Sequence, residues 1–582
     1  MCPAKNRRLL IEKVFYMAGS VLKSKGTNWT RRLYMQSANF IIRLNNQKRH
    51  GIQYYFLFLF LLLFLILNQA TALTPSQKPA KPNLPPDLDM LVAQVMKTFE
   101  VPGLSLAIVK DNQVLLAKGY GVKKLGQNEP VDAQTLFGIA SNTKVFTAVA
   151  LGTLVDEGKI RWDGRVIDYL PDFQMYDPNV SREIMVKDLL CHRCGLGLGA
   201  GDLMLWPASN LNRKEILRRV RYIKPATSFR TTYAYNNIMF VMAGELLERV
   251  SGIRWEDFVR EKIQKRVGMV HSNTSCALVD KEENMAWPHI PLEGQVVPAK
   301  TLYLTENVDP AGGINSCAED MAKWMLVLLN KGKLPDGSQL VSEQVINEIT
   351  GIVTPIPISK PAPELTPAAM NFNGYGLGLR IRDYRRYKVW THTGGLEGYV
   401  SQVWLMPEIG LGVTVLTNQE STAAFAALTN QIVDYYLKAP KFDWVEAYRQ
   451  FVARNEQRSR EELEKIYASR EKDTWPSLPL ADYAGLYRDD WYGEVEIKQE
   501  NDGLTIRFKH NPELYGKLEH WHYDTFVARW FDRELRADAF VTFYLDHEGK
   551  ISEVKMLPFS SDVDFSYDYQ DLLLRPMPKE KK

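Results

Sequence analysis

The sequence predicts an α+β domain followed by a small antiparallel β-barrel. Within residues 88–440, strand-like runs stand at both ends and helical patterns lie between them, which favours a sheet built from the two termini with helical insertions. Within residues 480–577, short alternating runs separated by turn signals are typical of a small barrel or sandwich. At 582 residues the chain also exceeds the usual size of one domain.

The first domain begins with a helical pattern at residues 91–99 and a predicted hairpin. The runs GLSLAIVK (Gly103–Lys110) and QVLLAKGY (Gln113–Tyr120) are separated by Asp-Asn, a hairpin signal. A Ser-capped, Ala-rich helix is predicted from Ser141 to Gly158. The later predicted elements are helices at 238–250, 320–330 and 422–437 and strands at 375–381, 398–406 and 411–416.

A charged helical connector is predicted at residues 441–479, ahead of the second domain at 480–577. The connector ends near Trp475-Pro476, and Asp502-Gly503 is one of the turn signals that follow. The strands predicted in the second domain are 493–498, 504–509, 525–530, 539–545 and 551–557.

Residues 1–72 are predicted to direct export. They hold eleven Lys and Arg residues against one acidic residue, and an apolar run at Tyr54–Leu67 precedes Ala70-Thr71-Ala72. This is the pattern of a signal peptide cleaved before Leu73, with Met35 as the true start. In the alternative, residues 54–67 stay as a membrane anchor. Either way the body of the chain is expected in a periplasmic or extracellular location, after a Pro-rich linker at 73–87.

The charge of the remaining chain argues against nucleic-acid binding. The overall net charge is +4, but residues 1–72 alone carry +10, so the rest of the chain, with 61 basic and 67 acidic residues, carries −6. Five cysteines are too few for a disulfide framework. Cys191 and Cys194 form a CxxC whose redox state the sequence leaves open, and no second ligand pair follows to indicate a metal site.

A candidate nucleophile lies at Ser141, which is followed three residues later by Lys144. Residues i and i+3 share a helical face, so the amine can lie over the serine hydroxyl and accept its proton. Ser-x-x-Lys occurs four times in the chain, so the spacing alone is weak. Downstream partners distinguish this copy: Tyr235-x-Asn237 stands before a helical run, and His392-Thr393-Gly394-Gly395 stands before a strand.

These three motifs, in this order and spacing, resemble those of the serine penicillin-recognising enzymes, and most closely the class C β-lactamase-like hydrolases. That group includes β-lactamases, D-alanyl-D-alanine carboxypeptidases, D-aminopeptidases and esterases. The resemblance covers roughly residues 88–440 and implies a β-lactamase/transpeptidase-like fold with a helical subdomain. Further matches lie at Asp188–Leu196, Pro310–Gly313 and Tyr375–Gly378. The second domain, with Tyr483–Tyr487 and His520–Phe526, is similar to the lipocalin-like barrel of some D-aminopeptidases.

The resemblance also implies roles for individual residues. Ser141 would form the acyl-enzyme, and Lys144 and Tyr235 would move protons, with the base role between them left open. Asn237 would hold Lys144 and the substrate. The remaining implied roles are substrate binding by His392, Thr393 and Gly394 and an oxyanion hole formed by the N–H groups of Ser141 and Gly395. The resemblance implies no metal and no cofactor.

One departure from the family pattern shapes the functional hypothesis. β-Lactamases of this class usually carry Lys where this chain has His392, and an imidazole can be neutral near pH 7. We therefore favour a peptidase acting on D-amino-acid-containing, cell-wall-type peptides. The alternatives are a β-lactamase or carboxylesterase of the same family, and a non-catalytic penicillin-binding or cell-wall-sensing protein. The expected partner is a small-molecule or peptide substrate, with the barrel restricting access to the cleft; the oligomeric state is open.

Overall fold

The computed structural model describes residues 83–300 and 304–578, so the predicted leader, with Met35 and residues 54–67, lies outside the described residues. No helix among the described residues is long and apolar enough to cross a membrane. The strands of the first domain are β1 (Gly103–Lys110), β2 (Gln113–Gly121), β3 (Phe137–Gly138), β4 (His289–Leu292), β5 (Gln295–Pro298), β6 (Asn315–Ser316), β7 (Thr354–Pro355), β8 (Asn373–Tyr375), β9 (Arg380–Tyr384), β10 (Tyr387–Leu396), β11 (Tyr399–Met406) and β12 (Leu411–Thr417).

Eight of these strands form one antiparallel sheet that joins the two ends of the domain. The strand order is β2-β1-β12-β11-β10-β9-β8-β7, so the first hairpin pairs with the last strand, as the sequence predicts. The helices lie mostly between these strands in the chain, which confirms the α+β prediction. The α-helices are Leu88–Thr98, Thr143–Asp156, Val166–Tyr169, Pro178–Glu183, Arg213–Arg219, Ile238–Ser251, Trp255–Val259, Lys265–Val267, Asp309–Gly312, Ala318–Leu329, Glu343–Ile349, Thr422–Leu437, Trp444–Ala468 and Leu480–Tyr483.

The predicted strand at residues 375–381 is wrong as a single strand. The chain leaves β8 at Tyr375, turns, and enters β9 at Arg380. Gly378 in this turn has a φ of 82°, and a Cβ there would lie 2.8 Å from the carbonyl oxygen of Lys144. The glycine therefore lets the turn approach the helix that carries the candidate base.

The Thr143–Asp156 helix forms the centre of the first domain. Twelve of its fourteen residues are buried, which is typical of a helix surrounded by other elements on all sides. Gly152 allows close packing, because a Cβ there would lie 2.4 Å from a methyl group of Val345. The two terminal helices, Leu88–Thr98 and Thr422–Leu437, cover one face of the sheet with a separate apolar cluster. The site described below is thus held on a rigid support.

The second domain is an eight-stranded antiparallel barrel. Its order is β19-β18-β17-β16-β15-β14-β13-β20, and a bridge between Val554 and Leu574 brings its two ends together. The sequence predicts five of these strands and misses β13, β16 and β20. The strands are β13 (Gly485–Asp489), β14 (Gly493–Glu500), β15 (Gly503–Phe508), β16 (Tyr515–His522), β17 (Thr525–Trp530), β18 (Ala539–Leu545), β19 (Ile551–Pro558) and β20 (Arg575–Pro576).

Polar contacts hold the barrel against the first domain. The Asn511 side-chain amide donates to the carbonyl of Pro207 over 2.6 Å. Arg219 donates to the carbonyl of Tyr492 over 2.6 Å. Arg536 forms two bonds of 2.7 Å to the carboxylate of Glu420. Together these contacts fix the side of the barrel that faces the site.

Candidate active site

Ser141 lies in a single 3-10 turn, Ala140–Asn142, that leads directly into the Thr143–Asp156 helix. The N-cap position of that helix is occupied by Asn142 rather than by the predicted Ser141. The Ser141 hydroxyl instead contacts the side chains of Lys144 and Tyr235. The residue before it, Ala140, has a φ of 49°, in the region that residues with a Cβ adopt rarely. Such backbone strain is common at functional sites.

The nucleophile turn is anchored to the sheet by strands β10 and β11. Ser401 donates to the carbonyl of Ile139 and accepts from the side-chain amide of Asn142, each over 2.8 Å. A Cβ at Gly394 would lie 2.1 Å from the same Ile139 carbonyl oxygen and 2.9 Å from the Cβ of Ala140. Gly394 therefore lies beneath the nucleophile turn, where only hydrogen fits. Its predicted role in substrate binding stays a prediction.

Lys144 is fully buried one helical turn after Ser141. Its Nζ lies 2.9 Å from the Ser141 Oγ, 2.7 Å from the Asn237 Oδ1 and 2.9 Å from the carbonyl oxygen of Ala311. These three partners match the three donors of an ammonium group. When the amine loses a proton, it acquires a lone pair that can accept from the serine hydroxyl. The predicted pairing of Ser141 and Lys144 is thus present in the structure.

Burial shifts the pKa values of the two candidate proton carriers, Lys144 and Tyr235, in opposite directions. It lowers the pKa of Lys144 to about 7, with the charge of Asp202 opposing the change. It raises the pKa of Tyr235 above its usual range, with a hydrogen bond to Ser141 opposing the change. Near neutral pH the amine can therefore be unprotonated while the phenol keeps its proton. The geometry favours Lys144 as base and Tyr235 as a neutral donor.

Asp202 is a buried member of the site that the sequence reasoning missed. The side-chain amide of Asn237 donates to its Oδ2 over 2.8 Å while accepting from Lys144, so a chain of contacts runs from Asp202 through Asn237 and Lys144 to Ser141. Burial raises the pKa of Asp202 to about 7. Its only sequence signal is its position directly after the glycine-rich run CGLGLGAG.

His392 lies inside strand β10, although the sequence places it in a glycine-containing segment before a strand. Its Nδ1 contacts the carbonyl of Thr393 over 2.6 Å, and its Nε2 contacts the hydroxyl of Tyr375 over 2.7 Å. A carbonyl can only accept, so Nδ1 carries the proton and the tyrosine hydroxyl donates to Nε2. Burial lowers the pKa of His392 to about 3. The imidazole is neutral and both its nitrogens are occupied.

The remaining predicted residues also border the site. Thr393 and Gly395 are exposed on β10, and a Cβ at Gly395 would meet no atom within 4 Å. Both line the same cavity as Ser141. The substrate-binding and oxyanion roles of these residues stay predictions. Among the described residues, no group of three or more His, Cys, Asp or Glu side chains is placed to hold a metal ion, and Cys191 and Cys194 are buried free thiols.

The two domains build one cavity of about 840 Å³ above Ser141. The barrel contributes a loop between β19 and β20, in which the ring of Phe565 lies edge-on to Tyr235 with centroids 6.0 Å apart. In the same loop, Asp568 accepts from the backbone N–H of Gly201 over 2.5 Å. No signal in the sequence connects this loop to residues more than 300 positions earlier. The barrel thus borders the cleft, and its expected role in restricting access to the cleft stays a prediction.

Comparison with known proteins agrees with this architecture. Residues 88–437 match the family described as Beta-lactamase, and residues 469–576 match a domain of unknown function (DUF3471). The fold is similar to that of an octameric penicillin-binding protein homologue from Pyrococcus abyssi, with a TM-score of 0.53 and 22% sequence identity over 81% of this chain and 98% of that one.

Three curated relatives extend the comparison. The "unguisins hydrolase ungD'" of Aspergillus campestris is 30% identical over 71% of this chain and 77% of its own length. The "unguisins hydrolase ungD" of Aspergillus violaceofuscus is 27% identical over 71% and 76%, respectively. "Protein flp" of Staphylococcus aureus is 23% identical over 57% of this chain and 63% of its own. Since the family match alone spans more than half of the residues, this chain belongs to the Beta-lactamase family and is a serine hydrolase.

Proposed function

We propose that this serine hydrolase is exported and cleaves amide bonds in peptides that contain D-amino acids, through an acyl-enzyme on Ser141. The acyl-enzyme mechanism is supported mainly by the 2.9 Å contact between the Ser141 hydroxyl and the amine of Lys144. That amine is buried and its pKa lies at about 7, so it can take a proton at physiological pH.

Acylation would run through the contacts already described. The neutral Lys144 amine accepts the hydroxyl proton as the Ser141 Oγ bonds to the substrate carbonyl carbon. The bond from that carbon to the leaving nitrogen then breaks. The Tyr235 hydroxyl gives its proton to the leaving amine and regains one from the Lys144 ammonium. Water hydrolyses the resulting ester by the same steps in reverse, which returns every group to its first state.

The tetrahedral intermediate needs donors for its oxyanion. The backbone N–H groups of Ser141 and Gly395 are the predicted pair, and both residues line the cavity. One such donor contributes about 3 kcal/mol to lowering the barrier. The anchoring of the nucleophile turn to β10 and β11 supports this assignment, because it fixes the two donors relative to one another.

A peptide substrate is favoured over a β-lactam by two features. The neutral His392, with both nitrogens occupied, offers no permanent positive charge at the position where family β-lactamases carry Lys. The cavity of about 840 Å³ also lies in the upper part of the range for ligand pockets and has walls from both domains. The two fungal relatives are named as hydrolases, which supports turnover rather than a purely sensing role.

The nucleophile is tested by labelling with a fluorescent fluorophosphonate and a fluorescent penicillin. We expect the wild type to be labelled by the fluorophosphonate and the Ser141→Ala variant to be unlabelled. The Ser469→Ala variant is a matched control, since Ser469 begins another Ser-x-x-Lys and bonds only to a helix carbonyl. Equal labelling of wild type and Ser141→Ala would refute the assignment.

The substrate class is tested with a panel run on the same preparation: D-Ala-peptides, their L-Ala counterparts, D-amino-acid anilides, a cephalosporin and a p-nitrophenyl ester. The proposal predicts the highest kcat/KM for a D-residue amide. A higher value for the cephalosporin would assign a β-lactamase, and a higher value for the ester with no amide cleavage would assign an esterase. Labelling of Ser141 with no turnover of any substrate would assign a binding protein.

Export is tested by sequencing the N-terminus of the protein secreted from cells that express residues 1–582. We expect the mature chain to begin near Leu73. Recovery of residues 1–72 intact in the membrane fraction would instead show that residues 54–67 act as an anchor. Retention of the whole chain in the cytoplasm would refute export.

A further inference from the structure

The glycine-rich run at residues 194–201 holds the segment 235–237, which carries the proposed proton donor Tyr235 and the lysine partner Asn237. Each of the three residues of that segment is hydrogen-bonded to the run or to Asp202, the residue that follows it. The bonds are from the Gly199 N–H to the Tyr235 carbonyl over 2.9 Å, from the Asn236 side-chain amide to the Ala200 carbonyl over 2.9 Å, and from the Asn237 side-chain amide to the Asp202 carboxylate over 2.8 Å. The position of the run therefore determines the position of the segment.

The same run is contacted by the barrel loop, residues 559–574 between β19 and β20. The Asp568 carboxyl group accepts from the N–H of Gly201 over 2.5 Å. A Cβ at Gly199 would lie 2.6 Å from the carbonyl oxygen of Phe565, so the two backbones approach as closely as glycine allows. The run thus touches the catalytic segment and the second domain at once.

The barrel loop is itself fixed to the barrel. Tyr569 is fully buried, and its hydroxyl donates to the carbonyl of Ala537 over 3.0 Å. The indole N–H of Trp491 donates to the carbonyl of Asp571 over 3.1 Å. Because the loop is held on its own domain, its contacts can determine where the glycine-rich run lies.

The contact made by Asp568 depends on the position of an oxygen rather than on a charge. Burial, and next the charge of Asp571, raise the pKa of Asp568 well above its usual range, against the hydrogen bond from Gly201. The second oxygen of Asp568 accepts from the side-chain amide of Gln570 over 2.7 Å. A neutral carboxyl group still offers a carbonyl oxygen to a backbone N–H. An asparagine at this position offers the same oxygen.

Asp202 extends the influence of the run to the base. It directly follows Gly201, and the chain of contacts from Asp202 through Asn237 reaches Lys144. The Lys144 amine in turn contacts the Ser141 hydroxyl over 2.9 Å. A shift of the run is therefore expected to move the groups that take and give the proton. A displacement of about 1 Å at such a group can cost about a hundredfold in rate.

We propose that Asp568 is a positioning residue, through which the barrel loop holds the glycine-rich run and thereby sets Tyr235 and Lys144 in the geometry of the reaction. Asp568 acts through Gly201 and touches no reacting atom. The inference rests on the proposed acyl-enzyme on Ser141 and goes beyond it, because it gives the second domain a part in the chemical step in addition to its place in the cavity wall.

The experiment measures fluorophosphonate labelling of Ser141 in the full chain over a series of probe concentrations. It yields the maximal labelling rate and the probe concentration that gives half of that rate. Asp568→Ala removes the oxygen that Gly201 uses, so we expect the maximal rate to fall by about tenfold to a hundredfold, with the half-saturating concentration unchanged. Asp568→Asn keeps the oxygen and should restore most of the lost rate.

Asn511→Ala is the matched control for the loss of a contact between the domains. It also breaks a buried hydrogen bond from the barrel to the first domain, but its partner, Pro207, belongs to neither the run nor the catalytic segment. Asp568→Ala and Asn511→Ala should both lower the thermal unfolding temperature. Only Asp568→Ala should lower the maximal labelling rate.

A second pair of variants tests the same contact from the side of the run. In Gly199→Ala, the new Cβ would lie 2.6 Å from the Phe565 carbonyl oxygen, so the run and the barrel loop must separate. Gly252→Ala is its control, because Gly252 has a φ of 72° against 70° at Gly199 and a Cβ there would meet no described atom within 4 Å. We expect Gly199→Ala to lower the maximal labelling rate and Gly252→Ala to leave it unchanged.

The outcomes separate this inference from the proposed function. A wild type that is not labelled at Ser141 would overturn the acyl-enzyme and this inference with it. A labelled wild type with an equal maximal rate in Asp568→Ala would overturn the positioning role and leave the acyl-enzyme intact. An equal loss of rate in Asn511→Ala, or a rate in Asp568→Asn as low as in Asp568→Ala, would also overturn it, since the effect would then not come from the oxygen that Gly201 uses.

Discussion

Replacement of Gly394 by alanine tests whether β10 fixes the position of the nucleophile. The new Cβ would lie 2.1 Å from the Ile139 carbonyl oxygen, 2.5 Å from the Ser401 Oγ and 2.9 Å from the Ala140 Cβ. Non-bonded carbon and oxygen atoms need about 3 Å or more, so the turn and the strand must separate by roughly 1 Å. Overpacking of this kind costs about 1–3 kcal/mol of unfolding free energy. A displacement of about 1 Å at a catalytic group can cost about a hundredfold in rate.

The assay is the rate of fluorophosphonate labelling of Ser141, measured with the free energy of unfolding in urea. Gly395→Ala is the matched control, because a Cβ at that neighbouring position meets no atom within 4 Å. We expect the control to unfold like the wild type, as for a substitution in open space. If Gly394→Ala matched the wild type in both measurements, or if Gly395→Ala lost as much unfolding free energy, the anchoring argument would fail.

Three further outcomes are expected. The labelling rate should rise with pH and level off above about 7. The reason is that burial lowers the pKa of Lys144 to about 7 and only the unprotonated amine accepts a proton. A labelling rate that does not change with pH would exclude Lys144 as the base. Ser401→Ala removes one of the bonds to the Ile139 carbonyl and the bond of the buried Asn142 side-chain amide, which should lower the free energy of unfolding in urea by about 1–3 kcal/mol. Asn511→Ala removes a buried bond between the domains and should lower the thermal unfolding temperature, with an unchanged temperature contradicting its role.

Much of the fold could be predicted because its signals are local. The first hairpin is indicated by two apolar runs that flank Asp-Asn, and the closing helix at Thr422–Leu437 by its helical pattern, and both are confirmed. The barrel was only partly predicted. Tyr515–His522 alternates in burial within the structure, but its aromatic and histidine residues read as a motif rather than as a strand. Arg575–Pro576 is too short to have a period at all.

The candidate site shows the same limit. Ser141, Lys144 and Asn237 could be identified because each belongs to a short motif. In the structure, the Lys144 Nζ lies 2.9 Å from the Ser141 hydroxyl and 2.7 Å from the Asn237 side-chain oxygen. Phe565 and Asp202 could not be identified from the sequence, because they join the site only through contacts with Tyr235 and Asn237, which belong to other segments of the chain. One of the two hydrogen bonds to the His392 ring comes from the hydroxyl of Tyr375 on β8. No pattern around the histidine could have indicated this bond.

Asp202 provides a way to test the whole chain of contacts at its far end. Its negative charge favours the ammonium form of Lys144, against the burial that disfavours it. An asparagine at this position keeps an oxygen for the amide of Asn237 and removes the charge, so the contacts persist while the electrostatic support disappears. The pKa of Lys144 should fall further, and the rising limb of the labelling profile should move to lower pH by up to about one unit. A limb that stays in place, or moves to higher pH, would show that the charge of Asp202 does not act on the amine.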